Sequence, residues 1–120
     1  YSDMHHFAKM GMYESSARDE YIPYVMPQEH GNHFNTKCLE LENGLRFTAA
    51  DTFDINVSNY TAEMLTEAMH TNELKEADYV TVRIDYKNAG IGSASCGPAL
   101  LEQYRADDKD IEFKFRINIQ

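Results

Sequence analysis

The sequence groups two histidines with a glutamate, an arrangement that could in principle bind a metal ion. His30 and His33 are three residues apart beside Glu29, and His5 and His6 are adjacent near the start of the chain. Zinc needs three or four ligands that converge on one point, and this spacing supplies only a pair. We therefore expect polar loop histidines here and predict no metal site.

A second group that could do chemistry is residues 90–98, which read Gly-Ile-Gly-Ser-Ala-Ser-Cys-Gly-Pro. A cysteine or serine nucleophile needs an adjacent base, and no sequence neighbour of Cys96 supplies one. A base brought near by the fold stays open. Gly90 and Gly92 lack the third glycine and the strand–helix context of a dinucleotide-binding loop. We interpret Cys96 as a small buried residue in a tight loop.

The charge balance of the chain excludes several classes of partner. There are 11 Lys and Arg against 20 Asp and Glu, which gives a formal charge of −9. Nucleic acids and anionic membranes both require concentrated positive charge, so we expect neither as a partner. An acidic surface is usual for bacterial cytosolic proteins, and we expect a cytoplasmic location. The 120 residues suffice for a single domain, residues 1–120.

These residues must be positioned mainly by strands, because apolar side chains recur with period two. The pattern is clear in three segments, residues 53–57, 79–86 and 111–119. Residues 36–42 and 45–48 flank Asn43 and Gly44, a pair typical of a two-residue hairpin turn in which both residues have positive φ. The first twenty residues show no sustained pattern, and we expect them to be irregular.

Two short segments are predicted to be helical. Met64, Leu65, Ala68 and Met69 recur at helical spacing between residues 61 and 70, and Thr61 is a suitable N-cap. A second helical turn is predicted directly after Pro98, over residues 99–103.

Antiparallel strands with one apolar face each require a second layer to cover that face. The sequence therefore predicts an all-β fold, an antiparallel β-sandwich with one or two short helices. The alternation puts Phe115 on the buried side of the last strand. The predicted apolar face comprises Val80, Val82, Ile84, Phe113, Phe115 and Ile117.

Two motifs, by their order and separation, indicate a family. Residues 21–32 read Tyr-Ile-Pro-Tyr-Val-Met-Pro-Gln-Glu-His-Gly-Asn, and residues 89–98 read Ala-Gly-Ile-Gly-Ser-Ala-Ser-Cys-Gly-Pro. Together they resemble the C-terminal β-sandwich domain of glycoside hydrolase family 2 β-galactosidases, which forms the small subunit in two-subunit enzymes. The usual family wording of the first motif is Tyr-x-Pro-Tyr-x-x-Pro-Gln-Glu-Asn-Gly-Asn. His30 stands where Asn is common, and His33 stands where Arg is common.

The resemblance implies a fold larger than this chain. The family domain is a two-sheet sandwich of the galactose-mutarotase type, and this chain corresponds to its C-terminal part. The predicted apolar face should then be partly uncovered in isolation, and such faces rarely stay open in water. We therefore predict that the isolated chain forms a homo-oligomer.

The resemblance also implies hydrolysis of terminal β-D-galactosides, lactose among them, by the whole enzyme. Glycoside hydrolysis needs two carboxyl groups about 5–5.5 Å or about 6.5–9.5 Å apart. The family carries both catalytic glutamates on a separate barrel domain, so we expect no catalytic residue in this chain. Glu29 is the acid that lies inside a motif. We expect it to accept backbone hydrogen bonds beside a turn at Gly31.

In the family, the loop matching residues 90–98 reaches the active site and ends in a tryptophan that supports the leaving-group sugar. Here Cys96 occupies that place, and a thiol cannot stack on a sugar. Ser95 and Cys96 are therefore predicted only as substrate-adjacent loop residues, and a plain glycine-rich connection fits equally well.

The resemblance implies no cofactor in this chain, since any Mg or Na ions of the full enzyme bind elsewhere. The implied partners are the remaining domains or the large subunit, with substrate reached only through the assembled active site.

Two other classes of protein stay open. One is a stand-alone carbohydrate-binding β-sandwich, in which exposed tyrosines would stack on sugars. The other is an extracellular interaction domain, which a Cys38–Cys96 disulfide or a glycan at the acceptor Asn56-Val57-Ser58 would favour.

Overall fold

The computed structural model describes residues 10–89 and 97–119. Its elements are the strands β1 (His33–Glu40), β2 (Leu45–Ser58), β3 (Thr81–Asp85) and β4 (Phe115–Ile119), the helix α1 (Ala62–Glu67), and two 3₁₀ turns at Thr71–Glu73 and Glu102–Tyr104. All strand pairs are antiparallel. The predicted all-β class with a short helix is confirmed.

The long strand β2 organises the sheet, since every other strand pairs with it. β1 runs along one edge, in a register that extends from Glu40 opposite Arg46 to His33 opposite Ile55. The other edge is shared: β4 pairs with the first five residues of β2, and β3 pairs with the last five. The predicted strands 45–48 and 53–57 are thus two parts of one continuous strand. On that edge β2 bridges the gap between β4 and β3.

The β1–β2 hairpin lies where Asn43 and Gly44 predict it, but its loop differs from the prediction. Leu41 N–H donates to the Leu45 carbonyl at 2.9 Å, and Gly44 N–H donates to the Leu41 carbonyl at 2.9 Å. The loop therefore has three residues, and Gly44 alone among them has a positive φ, of 84°. Asn43 is not left-handed; its Oδ1 accepts from Leu45 N–H at 3.0 Å. Such loops, a turn followed by a left-handed glycine, are common in hairpins.

The first helical prediction is confirmed, and the second is wrong in position. Thr61 caps α1 as expected, because its hydroxyl accepts from Met64 N–H at 3.2 Å. The helix ends at Glu67, since Ala68 is already extended with ψ of 126°. The turn predicted directly after Pro98 is wrong in position, because the 3₁₀ turn begins only at Glu102.

None of the helices in the described part of the chain has the length and apolar character needed to cross a membrane.

Two predicted strands are shorter than their sequence patterns. β3 covers residues 81–85 of the predicted 79–86, and β4 covers only the last half of the predicted 111–119. Alternation determines which side chains share a face, whereas a strand also needs a partner along its edge. Residues 111–114 continue the alternation, yet the ladder with β2 starts at Phe115 opposite Ala49.

One hydrophobic core cluster, on one face of the sheet, is formed by Phe47, Phe53 and Ile55. Outside this cluster, Tyr60, Leu65 and Ala68 are also buried. Phe53 is fully buried, and its ring meets that of Phe115 edge-on at 6.4 Å. The partly buried residues that pack against the cluster are Leu39, Leu41, Leu45, Ala49, Val82, Ile84 and Phe113. We call this side of the sheet the apolar face.

The apolar face is partly uncovered, as predicted. Exposure rises along β4 from 39% at Phe115 to 54% at Ile117 and 82% at Ile119. The expectation that Phe115 is buried is therefore wrong, because the described residues form one sheet and place no second layer over this strand. A sandwich needs that second layer.

We predict that Phe53→Ala destabilises the chain by about 3–5 kcal/mol, since a large ring leaves a closed site. Phe115→Ala should cost roughly 1–2 kcal/mol, because much of its ring already contacts water. Urea unfolding followed by circular dichroism measures both. Equal losses for the two variants would contradict an open apolar face.

Candidate functional site

The first motif lies against the sheet through an asparagine of β2. Asn56 is buried, and its Nδ2 donates to the carbonyl of His30 at 2.6 Å. Its Oδ1 accepts from Nη2 of Arg83 at 2.8 Å. Asn56 and Arg83 are opposite each other in the β2–β3 register. Because neighbouring residues of a strand point to opposite sides, this contact lies on the side away from Ile55 and the apolar face.

Arg83 also binds the motif directly. Its guanidinium pairs with the carboxylate of Glu29. Glu29 does organise the segment, but through an arginine side chain rather than through backbone donors as expected. Gly31 is left-handed, with a φ of 74°, although no turn forms at this position. A Cβ at Gly31 would lie 3.3 Å from the Glu20 carbonyl oxygen, so the close approach of backbone also favours glycine.

His30, inside the first motif, and His33, directly after it, take different partners. His33 Nε2 lies 2.6 Å from Oε2 of Glu20. The His30 ring packs on Tyr21 at a centroid distance of 5.1 Å, and Tyr21 packs on Tyr60 at 5.0 Å. Within residues 10–89 and 97–119, no three His, Cys, Asp or Glu side chains are grouped so that they could hold a metal ion.

Burial controls the protonation of His30. Its pKa is lowered first by desolvation of the ring and second by the positive charge of Arg83. Both effects disfavour the imidazolium form. His30 is therefore held as a neutral ring in the folded chain near neutral pH.

Two further contacts tie the segment to the connection between α1 and β3. Arg18 Nη2 pairs with Oε2 of Glu76 at 2.7 Å, and this hydrogen bond lowers the pKa of Glu76. Thr71 Oγ1 donates to the carbonyl of Tyr24 at 2.7 Å. We call residues 18–33 the braced segment, because contacts at its start, middle and end fix it to other elements.

A second buried polar residue, Asp54, joins β1 to the chain that follows β3. Its carboxylate accepts from Asn35 N–H at 3.3 Å and from Asn88 N–H at 3.0 Å. Burial raises the pKa of Asp54 despite these donors. Alternation in the sequence puts Asp54 and Asn56 on the side opposite the apolar side chains, and this pattern predicts exposed residues. Both are buried instead. The available hint was their position between the apolar residues Phe53, Ile55 and Val57.

The described residues leave no enclosed space for a sugar beside the motif. The cavity there measures about 10 Å³, the size of one water molecule. Its lining includes Tyr21, His30 and Arg83. A larger groove of about 410 Å³ lies open at the β2–β4 pairing, lined among others by Thr48, Phe115 and Arg116.

The substrate-adjacent residues Ser95 and Cys96 lie outside the described residues, so their predicted role stays a prediction. The Cys38–Cys96 disulfide considered above gains no support, since Cys38 is a free cysteine. Cys38 is exposed, and its Sγ accepts from Arg46 Nε at 3.2 Å. The glycan considered at Asn56 does not fit, because that side-chain amide is buried and hydrogen-bonded to His30 and Arg83.

In the described residues, fold and site together define an all-β structure with one antiparallel sheet, whose polar side is closed by the braced segment and whose apolar side is partly open. The sequence profile of the family described as beta galactosidase small chain matches residues 1–117. The chain belongs to this β-galactosidase small-chain family.

Similar proteins agree with this assignment. The chain is 45% identical over 115 residues to a β-galactosidase of Actinobacillus pleuropneumoniae, a match that covers 96% of this chain and 11% of that protein. Identity to a β-galactosidase of Staphylococcus xylosus is 39% over 97 residues, covering 78% and 10%. For that of Kluyveromyces lactis it is 32% over 128 residues, covering 96% and 11%. The chain thus spans about a tenth of the length of these relatives.

We predict that Asn56→Ala destabilises the chain by about 1–3 kcal/mol, because the part-buried His30 carbonyl loses its donor and Arg83 keeps only Glu29 as a partner. Asn118→Ala, on the exposed strand β4, is the matched control and should cost less than about 0.5 kcal/mol. Urea unfolding gives both values. Amide exchange of residues 28–33 should also accelerate in the Asn56 variant alone; unchanged exchange there would show that Asn56 does not hold the segment.

The lowered pKa of His30 predicts a loss of stability in mild acid. The unfolded chain then takes up a proton that the folded chain resists, so stability is complete above the unfolded pKa of about 6.5 and falls as the pH drops below it. His30→Asn, which removes the imidazole, should flatten the dependence of the urea midpoint on pH between about pH 7.5 and 5.5. Asn118→Ala, on the exposed strand β4, removes no titratable group; it is the control and should keep the wild-type slope. A slope that persists in His30→Asn would contradict this origin.

Proposed function

We propose that this chain is the C-terminal part of the β-sandwich domain of a glycoside hydrolase family 2 β-galactosidase, and that it supports hydrolysis of terminal β-D-galactosides such as lactose without supplying a catalytic residue. The observation that carries the proposal is the open apolar face on a chain that spans about a tenth of its β-galactosidase relatives. Such a face is the expected contact surface for the rest of a larger enzyme.

The packing of the apolar face explains how the chain would support the enzyme. Phe47, Phe53 and Ile55 form a closed cluster, whereas Phe115, Ile117 and Ile119 of the neighbouring strand remain exposed. Burying a large aliphatic or aromatic side chain contributes about 1.5–3 kcal/mol. A second sheet from another part of the enzyme would gain this free energy and complete the sandwich.

The chemistry would lie outside this chain. The acid inside the motif, Glu29, is engaged with Arg83 and organises the braced segment. We assign both catalytic carboxylates, and any Mg or Na ions, to other domains or to a large subunit. Residues 90–98, with Ser95 and Cys96, would then reach the mouth of the assembled active site. We place the enzyme in the cytoplasm, in keeping with its acidic composition.

A chimera tests this function. This chain would replace the matching 115 residues of the A. pleuropneumoniae enzyme, to which it is 45% identical. We expect the chimera to hydrolyse o-nitrophenyl-β-D-galactoside within about tenfold of the parent rate, which corresponds to roughly 1.4 kcal/mol. The parent lacking that region and the isolated chain should both be inactive. An inactive but folded chimera, or saturable binding of galactose by the isolated chain, would argue for a free-standing module.

A charge on the apolar face should prevent assembly of the chimera. Ile117→Asp would bury a carboxylate without a partner, at a cost of several kcal/mol, and activity should fall at least about tenfold. Asn118→Asp puts the same charge on the adjacent residue, which points to the other side of the sheet. It should leave activity near that of the unmodified chimera. Equal activities of the two variants would show that the apolar face is not the contact surface.

A further inference from the structure

We propose that the tip of the braced segment, residues 22–26, is a second docking surface that inserts into an apolar site on another domain of the same β-galactosidase. The proposal rests on the proposed function, because it requires that the remainder of such an enzyme surrounds this chain. It adds a contact on the side of the sheet opposite the apolar face.

The tip is apolar and exposed. Residues 22–26 read Ile-Pro-Tyr-Val-Met, and their four large side chains leave between 52% and 84% of their surface in solvent. Residues 21–28 carry no charge, although 26% of the chain is charged. Exposed loops are usually polar, and a contiguous exposed apolar patch commonly marks an interaction site.

The tip is also held in place before any partner binds. Thr71 bonds the carbonyl of Tyr24, in the middle of the tip. Pro27, directly after it, is buried, and Glu29 and His30 follow with their contacts to Arg83 and Asn56. Pro23 removes further backbone freedom. All these bonds use backbone or polar groups, so the apolar side chains remain available, and a preorganised loop loses little entropy on binding.

The occupant is best identified as another domain of the enzyme. The relatives are about nine times as long as this chain, so most of the polypeptide lies outside it. An uncharged tip on a chain of net charge −9 offers no electrostatic attraction, and an apolar pocket is the surface that matches it. The braces hold the tip on the polar side of the sheet, so this partner surface is distinct from the one that would cover Ile117.

Cysteine labelling in the chimera with the A. pleuropneumoniae enzyme tests the proposal. Val25→Cys is compared with Leu101→Cys, an exposed residue outside the tip whose exposure is 66%. Each is treated with a maleimide in the native chimera and in urea, and peptide mass spectrometry reads the modified site. We expect Val25→Cys to react at least about tenfold more slowly than Leu101→Cys in the native chimera, because an occupied pocket excludes solvent. Both should react equally in urea.

The outcomes separate the two proposals. Equal native labelling in an active chimera overturns the docking of the tip and leaves the proposed function standing. Protection of Val25→Cys in an inactive chimera supports the docking, although the proposed function then fails. Protection that appears in the isolated chain and grows with its concentration assigns the tip to a second copy and overturns the inference.

Discussion

The buried amide of Asn56 is the interaction on which the arrangement of this chain depends. It donates to the His30 carbonyl and accepts from Arg83, and Arg83 in turn holds Glu29. An amide can satisfy a donor and an acceptor at once, which an apolar residue at this position could not do. The motif backbone at His30 and the carboxylate of Glu29 are thereby fixed to the adjacent strands β2 and β3. Asn56 is buried, so leaving its amide without a partner would cost free energy.

This anchoring gives the sheet two unlike sides. On one side, polar side chains of β2 and β3 receive the braced segment, and Tyr21, Tyr60 and His30 pack beside them. On the other side, Phe47, Phe53 and Ile55 form a core that the described residues only partly cover. On the polar side, hydrogen bonds of defined geometry fix the position of the braced segment on the sheet. On the apolar side, packing is stabilised mainly by the hydrophobic effect, which has no directional preference. The apolar side leaves Phe115, Ile117 and Ile119 exposed to solvent.

The chain belongs to the β-galactosidase small-chain family and spans about a tenth of its relatives' length. Glu29, His30 and His33 all have structural partners in the described residues: Arg83 for Glu29, the Tyr21 ring for His30 and Glu20 for His33. His30 contributes a ring that packs on Tyr21, together with a group whose ionisation burial opposes.

The sequence by itself determined the antiparallel strands, the hairpin at Asn43 and Gly44, the cap at Thr61 and the family, because alternation, turn residues and motifs are local signals. Only the tertiary structure decided that Asp54 and Asn56 are buried, that Arg83 binds Glu29, and that Phe115 stays partly open. Each of these depends on which segment covers which side of the sheet. That choice is made by contacts between residues far apart in the chain, such as the 54 positions separating Glu29 from Arg83, and period-two alternation carries no information about them.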